Sequence, residues 1–144
     1  MTGQIATGLL IVDAGRATTL QDHGRPGRSH LGVPTAGAVD RRSHDLANRL
    51  VGNPVNAATI ETHGGLFVQA LRPLVVATGG HLTMLRRGEV ARIDPAPGEM
   101  WAYLAVRGGL GVEPVLGSRS QDTLAGIGPP VLVAGMQLPV GADP

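Results

Sequence analysis

The chain has 144 residues, of which 42% are hydrophobic and 16% charged, and its formal net charge is +1. The length and hydrophobic content indicate one globular domain and argue against disorder. The low net charge argues against a nucleic-acid-binding surface. It has no cysteine, and all twelve basic residues are arginine, which excludes cysteine metal sites, a lysine Schiff base, a Walker-type phosphate loop and a lysine that could carry biotin. No cationic leader or long apolar run is present, so we expect a cytoplasmic protein that binds neither nucleic acid nor membrane.

The first predicted strand, Leu9 to Ala14, is a short apolar run closed by Gly15. A long polar loop follows, residues 18–39, with glycines at 24, 27, 32 and 37 and prolines at 26 and 34. Loops of this length inside compact domains are usually either functional or disordered. We interpret this one as ordered and functional.

The loop leads directly into the predicted α-helix, residues 40–51. Asp40 is a good N-cap, and Gly52 is placed to end the helix in a left-handed conformation. Asn48 is assigned a structural role, bracing the loop through its amide. A single apolar stripe is predicted to face the core, formed by Leu46, Ala47, Leu50 and Val51.

Eight further strands are predicted after the helix, separated by glycine- and proline-rich turns. They cover residues 57–62, 65–70, 73–78, 89–93, 100–106, 115–119, 130–133 and 137–140. One helix among many short strands predicts a mostly-β fold, a β-barrel or sandwich, in a single domain covering residues 1–144.

The candidate site residues are concentrated in the polar loop. Residues 16–49 carry six arginines against three aspartates, whereas the rest of the chain carries six arginines against eight acids, which favours a small anionic ligand near the loop. Asp22 and Arg25 are the candidate catalytic residues, because a guanidinium fork binds a carboxylate or phosphate and Asp22 could orient it. The alternative is that these two residues pair across a turn and staple the loop. Substrate binding is assigned to Gln21, Gly24, Arg28, Thr35 and Gly37.

The five histidines show no metal-ligand spacing such as H-x-x-x-H, so no metal is predicted. No G-x-G-x-x-G motif occurs either, so the chain has no recognisable nucleotide-binding motif.

Five motifs in order carry a family resemblance. They are Thr-Thr-Leu-Gln-Asp-His-Gly-Arg-Pro-Gly (18–27), Gly-Val-Pro-Thr-Ala-Gly-Ala-Val-Asp (32–40), Ala-Asn-Arg-Leu-Val-Gly-Asn (47–53), Ala-Tyr-Leu-Ala-Val-Arg-Gly-Gly (102–109) and Pro-Val-Leu-Gly-Ser-Arg-Ser (114–120). Together they resemble the biotin-dependent carboxyltransferase family, which includes allophanate hydrolase subunit 2, the C subunit of 5-oxoprolinase and the KipI antagonist KipA.

The resemblance implies a cyclophilin-like β-barrel that corresponds to the first half of the family's chain, with the second half absent and the region between Thr78 and Tyr103 shortened. It also implies a KipI-like partner (the B subunit in 5-oxoprolinase), a LamB/YcsF-like partner (the A subunit), and ATP as cofactor of the complex. The expected function is a part of a two-component, ATP-dependent amide hydrolase or carboxyltransferase of the 5-oxoprolinase type, acting on a small carboxylate or amide and inactive alone. The alternatives are a non-catalytic KipA-like antagonist that binds a KipI-like kinase inhibitor, and a shortened inactive remnant.

Overall fold

A computed structural model describes residues 7–142 of the chain. Within these residues the chain forms nine strands and one α-helix, with a short 3-10 turn at Ser29–Leu31. The elements are β1 (Thr7–Asp13), β2 (Thr19–Gln21), α1 (Arg41–Val51), β3 (Thr59–Thr62), β4 (Leu66–Ala70), β5 (Leu74–Thr78), β6 (His81–Leu85), β7 (Val90–Ile93), β8 (Ala102–Val106) and β9 (Gln137–Pro139). The predicted mostly-β fold with one α-helix is confirmed.

The strands form two antiparallel sheets. One has the order β7-β4-β1-β9 and the other the order β2-β3-β8-β5-β6. Apolar side chains from both sheets meet in a single buried cluster, with Leu9 and Val68 contributed by the first sheet and Ile60, Val76 and Leu104 by the second. The core therefore lies between the sheets, as in a sandwich.

Strand β8 is buried along its whole length because both of its faces are covered. Leu104 and Val106 enter the core between the sheets, whereas Tyr103 and Ala105 point to the opposite face and contact α1. Alternate residues of a strand point to opposite faces. The continuous apolar run of this strand is therefore explained by a sheet on one side and a helix on the other.

Helix α1 begins and ends as the sequence predicts. The Asp40 carboxylate accepts hydrogen bonds from the backbone N–H and the hydroxyl of Ser43, at 3.1 and 2.6 Å. Gly52 has φ of 80° and donates its N–H to Arg49 O. The predicted apolar stripe is partly wrong: Leu46 is 45% exposed, because the buried side of the helix is rotated toward the residues His44, Ala47, Asn48 and Val51.

Two predicted strands are absent from the structure. At residues 115–119 the backbone forms a tight turn instead, in which Leu116 and Gly117 both have positive φ (50° and 81°) and Val115 and Ser118 exchange two backbone hydrogen bonds. Residues 130–133 are irregular. Pro129 and Pro130 have no N–H to donate to a ladder, although Leu132 is buried in the core.

Two strands of the structure, β2 and β6, are not predicted by the sequence patterns. Strand β2 is only three residues long, and it is buried although it contains Thr19 and Gln21. Strand β6 is largely exposed and pairs with β5 at the edge of the five-stranded sheet. Together with β7, it occupies the region between Thr78 and Tyr103. Among residues 7–142, no helix is long and apolar enough to cross a membrane.

Candidate functional site

The polar loop is tied to the segment 115–122 through Asp22. Its carboxylate accepts hydrogen bonds from the hydroxyls of Ser118 and Ser120, at 2.5 and 2.7 Å, and from the backbone N–H groups of Gly24 and Arg119, both at 2.8 Å. Burial raises the pKa of Asp22, but these hydrogen bonds together outweigh burial and hold the pKa below its usual value. Asp22 is thus an ionised, buried anchor between two loops.

Arg25 is also directed into this segment. It is 2% exposed, and its guanidinium donates to the carbonyl oxygens of Val115, Ser118 and Ser120 at 3.1, 3.2 and 2.6 Å. Its Nη1 is buried without a hydrogen-bond partner. Within residues 7–142, no salt bridge joins Arg25 to Asp22; each residue holds the 115–120 segment separately. Any direct contact of Arg25 with a ligand would have to use Nη1.

Two glycines let the loop cross itself. A Cβ atom on Gly24 would lie 2.3 Å from Thr35 O, and one on Gly37 would lie 3.0 Å from the backbone of His23. Both residues have positive φ (84° and 101°), a conformation that favours glycine. Thr35 is exposed and accepts a hydrogen bond from Arg25 N–H at 2.7 Å. Arg28 is half-buried at the start of the 3-10 turn.

Beside this junction lies a cavity of about 440 Å³, which we call the polar cleft. Its lining comes from β2 and β3 and from the loops on either side of the junction. Apolar lining comes from Trp101, Val39, Val131 and Leu132, and polar lining is contributed by Thr18, Thr19, Gln21, Glu61, Gln121 and Asp122. No cationic side chain is among the described residues that line it.

Glu61 on β3 is the buried acid of the polar cleft. It is 3% exposed, and its Oε2 accepts hydrogen bonds from the Tyr103 hydroxyl at 2.6 Å and from Val39 N–H at 2.9 Å. Burial raises the pKa of Glu61 above its usual value despite these hydrogen bonds. Tyr103 also accepts from Asp40 N–H at 2.8 Å, which couples the acid to the start of α1. Burial and the neighbouring Glu61 raise the pKa of Tyr103 as well.

Two amide side chains bring unused acceptors to the polar cleft. Gln21 Nε2 donates to Thr19 Oγ1 and to Gln121 O, both at 2.9 Å, which fixes the orientation of the amide. Gln21 Oε1 and Gln121 Oε1 are buried and have no hydrogen-bond partner. A buried acceptor without a partner is unfavourable.

The structure separates the predicted site residues into two groups. Gln21 and Gly37 line the polar cleft. Asp22, Gly24, Arg25, Arg28 and Thr35 belong to the loop and its junction with the 115–120 segment, behind the cleft. Asn48 braces the residues after the helix rather than the loop before it, because its Nδ2 donates to Val55 O and Ala57 O at 3.0 and 2.9 Å.

Sequence reasoning missed Glu61, Gln121 and Trp101. The signal for Glu61 was its position as the single charged residue of the predicted strand 57–62, since an acid that is buried in a strand has to be paired or functional. Gln121 and Asp122 follow the motif 114–120 directly, but only the fold brings them beside Gln21.

The comparisons with known proteins identify the class. A family model described as carboxyltransferase domain, subdomain A and B, matches residues 31–144. The chain therefore belongs to the carboxyltransferase-domain family, and the resemblance carried by the five motifs is confirmed.

Two relatives show which members of this family the chain is similar to. The C subunit of 5-oxoprolinase from Escherichia coli K12 is 38% identical over 153 residues, which cover 92% of this chain and 49% of that protein. The urea amidolyase of Saccharomyces cerevisiae is 34% identical over 139 residues, 85% of this chain and 8% of that protein. The chain thus spans about half the length of the bacterial relative and a small part of the yeast one.

Solved structures agree with this assignment. The crystal structure of TTHA0988 matches with a TM-score of 0.88 at 36% identity, over 97% of this chain and 31% of that chain. The crystal structure of the K. lactis urea amidolyase matches with a TM-score of 0.87 at 27% identity, over 96% of this chain and 10% of that chain.

Proposed function

We propose that this chain is a component of a 5-oxoprolinase-type complex that opens small amides, and that the polar cleft binds the amide group of the substrate. The observation that carries the proposal is that two residues lining one cavity, Gln21 and Gln121, each have a buried side-chain oxygen without a hydrogen-bond partner. A lactam or urea N–H is the complementary donor. The similarity to the 5-oxoprolinase C subunit and to urea amidolyase supports the same substrate class.

Glu61 is the chain's candidate for a proton-transferring group. A buried carboxylic acid with a raised pKa exchanges a proton at a pH closer to neutrality than an ordinary glutamate does. The Tyr103 hydroxyl and Val39 N–H bind its Oε2, so this carboxylate is held in a fixed orientation. Asp22 and Arg25 act, in this proposal, by holding the loop that carries Gln21 in place.

ATP does not fit the polar cleft. A triphosphate needs cationic side chains or converging N–H groups, whereas the charged side chains that line this cavity are Glu61 and Asp122. We therefore place the ATP-dependent step of the proposed complex with its other components, a KipI-like protein and a LamB/YcsF-like protein.

The chain's single tryptophan, Trp101, lines the polar cleft and offers a direct test. Titration of the purified chain with 5-oxoproline or urea should change the fluorescence of Trp101 and saturate. Cyclopentanecarboxylate is the matched control ligand, since it has a five-membered ring and a carboxylate but no N–H donor. Cyclopentanecarboxylate binding as tightly as 5-oxoproline would mean that a carboxylate, not an amide, is recognised, and would contradict the proposal.

A second experiment tests whether the side-chain oxygen of Gln121 takes part in binding. Gln121→Met keeps the approximate shape of the side chain and removes the acceptor, so affinity for the amide should fall about tenfold, as expected for one lost hydrogen bond of about 1.4 kcal/mol. Gln69→Met, on the exposed side of β4, is the control and should leave affinity unchanged. Unaltered binding by Gln121→Met would place the ligand elsewhere.

A further inference from the structure

Three side chains meet between α1 and the polar loop: His23, His44 and Asp45. Asp45 Oδ1 lies 2.6 Å from His23 Nε2 and 3.0 Å from His44 Nδ1, and one ligand-type atom from each residue lies within 4.8 Å of the others. His44 is fully buried, whereas the side chains of His23 and Asp45 are 24% and 16% exposed. Within residues 7–142, the ion-pair partners of Asp45 are these histidines and not Arg49, one turn further along the helix.

Both ring nitrogens of His44 face acceptors. His44 Nε2 lies 3.2 Å from the carbonyl oxygen of Gln21, and Nδ1 lies 3.0 Å from Asp45 Oδ1. A neutral imidazole has one N–H, so it donates to only one of these two oxygens. In the tautomer with the proton on Nε2, the lone pair of Nδ1 is directed at the carboxylate, and a bound cation would lie between the two.

We propose that His23 Nε2, His44 Nδ1 and Asp45 Oδ1 bind a divalent first-row transition-metal ion such as Zn²⁺. Two imidazole nitrogens and a carboxylate oxygen are a ligand set of zinc sites that keep one position open. Metal-bound histidines usually donate their other N–H to a carbonyl or carboxylate, which is the arrangement of His44 and Gln21. The partial exposure of His23 and Asp45 gives solvent access for a fourth ligand.

The geometry needs only a small adjustment. Bonds of about 2.0–2.2 Å in a tetrahedral site separate the ligand atoms by roughly 3.4 Å, so His23 has to move away from Asp45 by less than about 1 Å. The backbone N–H of His23 is held by Asn56 Oδ1 at 2.9 Å, so the 24% exposed side chain has to make that shift by rotation. The positive charge of Arg41 opposes binding, because its Nη2 donates to His23 O at 3.0 Å. We therefore expect micromolar rather than nanomolar affinity.

The site is linked to the polar cleft through Gln21. A bound ion would fix His44 against the backbone carbonyl of Gln21 and, through His23, would hold the loop to the helix. The ring of His44 also contacts Tyr103 edge-on, at 6.0 Å between ring centroids, and Tyr103 binds the cleft acid Glu61.

The test is a titration of the metal-free chain with Zn²⁺ by calorimetry and with Co²⁺ by visible absorption. We expect one equivalent to bind, with the d–d absorption of a four-coordinate site and a rise in Tm. His23→Ala and Asp45→Asn, both at partly exposed positions, should weaken binding by at least about a hundredfold, because loss of even an outer-shell partner costs ~10–100-fold. His81→Ala, at an exposed position on β6, is the control.

Three outcomes would overturn the site. The first is the absence of binding at a hundred-micromolar metal concentration, and the second is binding that survives both substitutions. The third is a long-range ¹H–¹⁵N spectrum in which both ring nitrogens of His44 are protonated at neutral pH and do not change on addition of Zn²⁺. The cluster would then be an ion-paired hydrogen-bond network. The spectrum needs no substitution of the buried His44, so it can be read even if variants at that position fail to fold.

Discussion

Asp22 and Ser120 exchange two hydrogen bonds across 98 positions of the sequence: Asp22 N–H donates to Ser120 Oγ at 2.9 Å, and the same hydroxyl donates to Asp22 Oδ1 at 2.7 Å. The hydroxyl thus serves as acceptor and donor to one residue, with both partners buried. This reciprocal pair fixes the start of the polar loop against the segment that carries Gln121. The two amide oxygens of the polar cleft are therefore positioned by one junction.

Replacing Asp22 with Asn should destabilise the fold by about 2–3 kcal/mol, since hydrogen bonds to a charged group are worth roughly 1.5–3 kcal/mol. The side-chain NH₂ of the asparagine would also face one of the four donors that now bind the carboxylate, and two donors form no hydrogen bond. Urea unfolding at pH 7 measures the change. Asp13→Asn is the matched control, because Asp13 is exposed and accepts from Gly15 N–H; it should change stability by less than about 0.5 kcal/mol. Equal losses in both variants would contradict the anchoring role of Asp22.

The difference between wild type and Asp22→Asn should depend on pH. The folded-state pKa of Asp22 lies below its ordinary value of 3.8, so its stabilising effect is complete above that value and is lost as the pH falls through the folded-state pKa. Unfolding free energies of the two proteins should therefore converge in strong acid and differ fully at pH 7. A difference that stays constant down to the acid transition would rule out this linkage.

Glu61 should show the opposite dependence. Its pKa is raised from 4.5 by burial, so the contribution of Glu61 to stability is complete below 4.5 and is lost as the pH rises through the folded-state pKa. Relative to Glu61→Gln, the wild-type protein should be more stable at pH 4 than at pH 7. The carboxyl ¹³C shift of Glu61, followed by NMR, gives the midpoint directly. A midpoint at or below 4.5 would argue against a buried acid in the polar cleft.

Arg25→Lys should be poorly tolerated although it keeps the charge. One ammonium group cannot reproduce the planar set of donors that reaches the carbonyls of Val115, Ser118 and Ser120. We expect a loss of about 2 kcal/mol or more, since buried carbonyls lose their partners. Arg28→Lys, at a half-buried position in the same loop, should have little effect.

The same variants separate two roles of Arg25. If Arg25→Lys keeps wild-type stability and loses affinity for 5-oxoproline but not for urea, the guanidinium contacts the substrate carboxylate, as the sequence predicts. Parallel loss of stability and of affinity for both ligands would indicate that Arg25 positions the loop.

Leu116→Asn should stabilise the protein. Leu116 has φ of 50° and is followed by Gly117 at 81°, so both central residues of the turn have positive φ, for which Asn-Gly is the favoured pair. A left-handed conformation costs an ordinary residue roughly 1–2 kcal/mol, and Leu116 is 43% exposed, so little packing is lost. We expect a gain of about 0.5–1 kcal/mol. Leu116→Ala, which keeps the strain, should show no gain in the same unfolding measurement.

Much of the fold is predictable from local patterns. The helix bounds are correct because Asp40 and Gly52 act within a single turn, and β1, β4 and β8 are apolar runs that a core requires. The turn at Leu116 and Gly117 has the sequence pattern of a strand because Val115 and Leu116 form a short apolar run bounded by Pro114 and Gly117. A leucine with positive φ has no sequence signal. Strand β6 escapes prediction because an exposed edge strand needs no alternating pattern.

The candidate site is less predictable, because its residues meet only through the fold. Gln21 and Gln121 are a hundred positions apart, and Glu61 comes from a third segment. Arg25 is predicted to reach a ligand because guanidinium groups commonly bind anions, but the sequence does not show which carbonyls will surround it. The cluster of His23, His44 and Asp45 escapes a search for short ligand spacing, since a loop and a helix contribute to it.

The separation between Asp22 and Ser120 also sets an order of events during synthesis. The ribosome adds roughly 5–20 residues per second, so the polar loop is synthesised about 5–20 s before its partner segment. Until then the hydroxyls of Ser118 and Ser120, which donate to the Asp22 carboxylate in the folded protein, do not yet exist. Bringing together two segments so far apart in sequence also costs chain entropy, which only the finished core can offset. The loop that lines the polar cleft is thus among the last parts of the nascent chain to be locked. Pulsed amide exchange on refolding protein should find the N–H of Asp22 protected later than those of β5 and β6, which pair with each other and are consecutive in sequence.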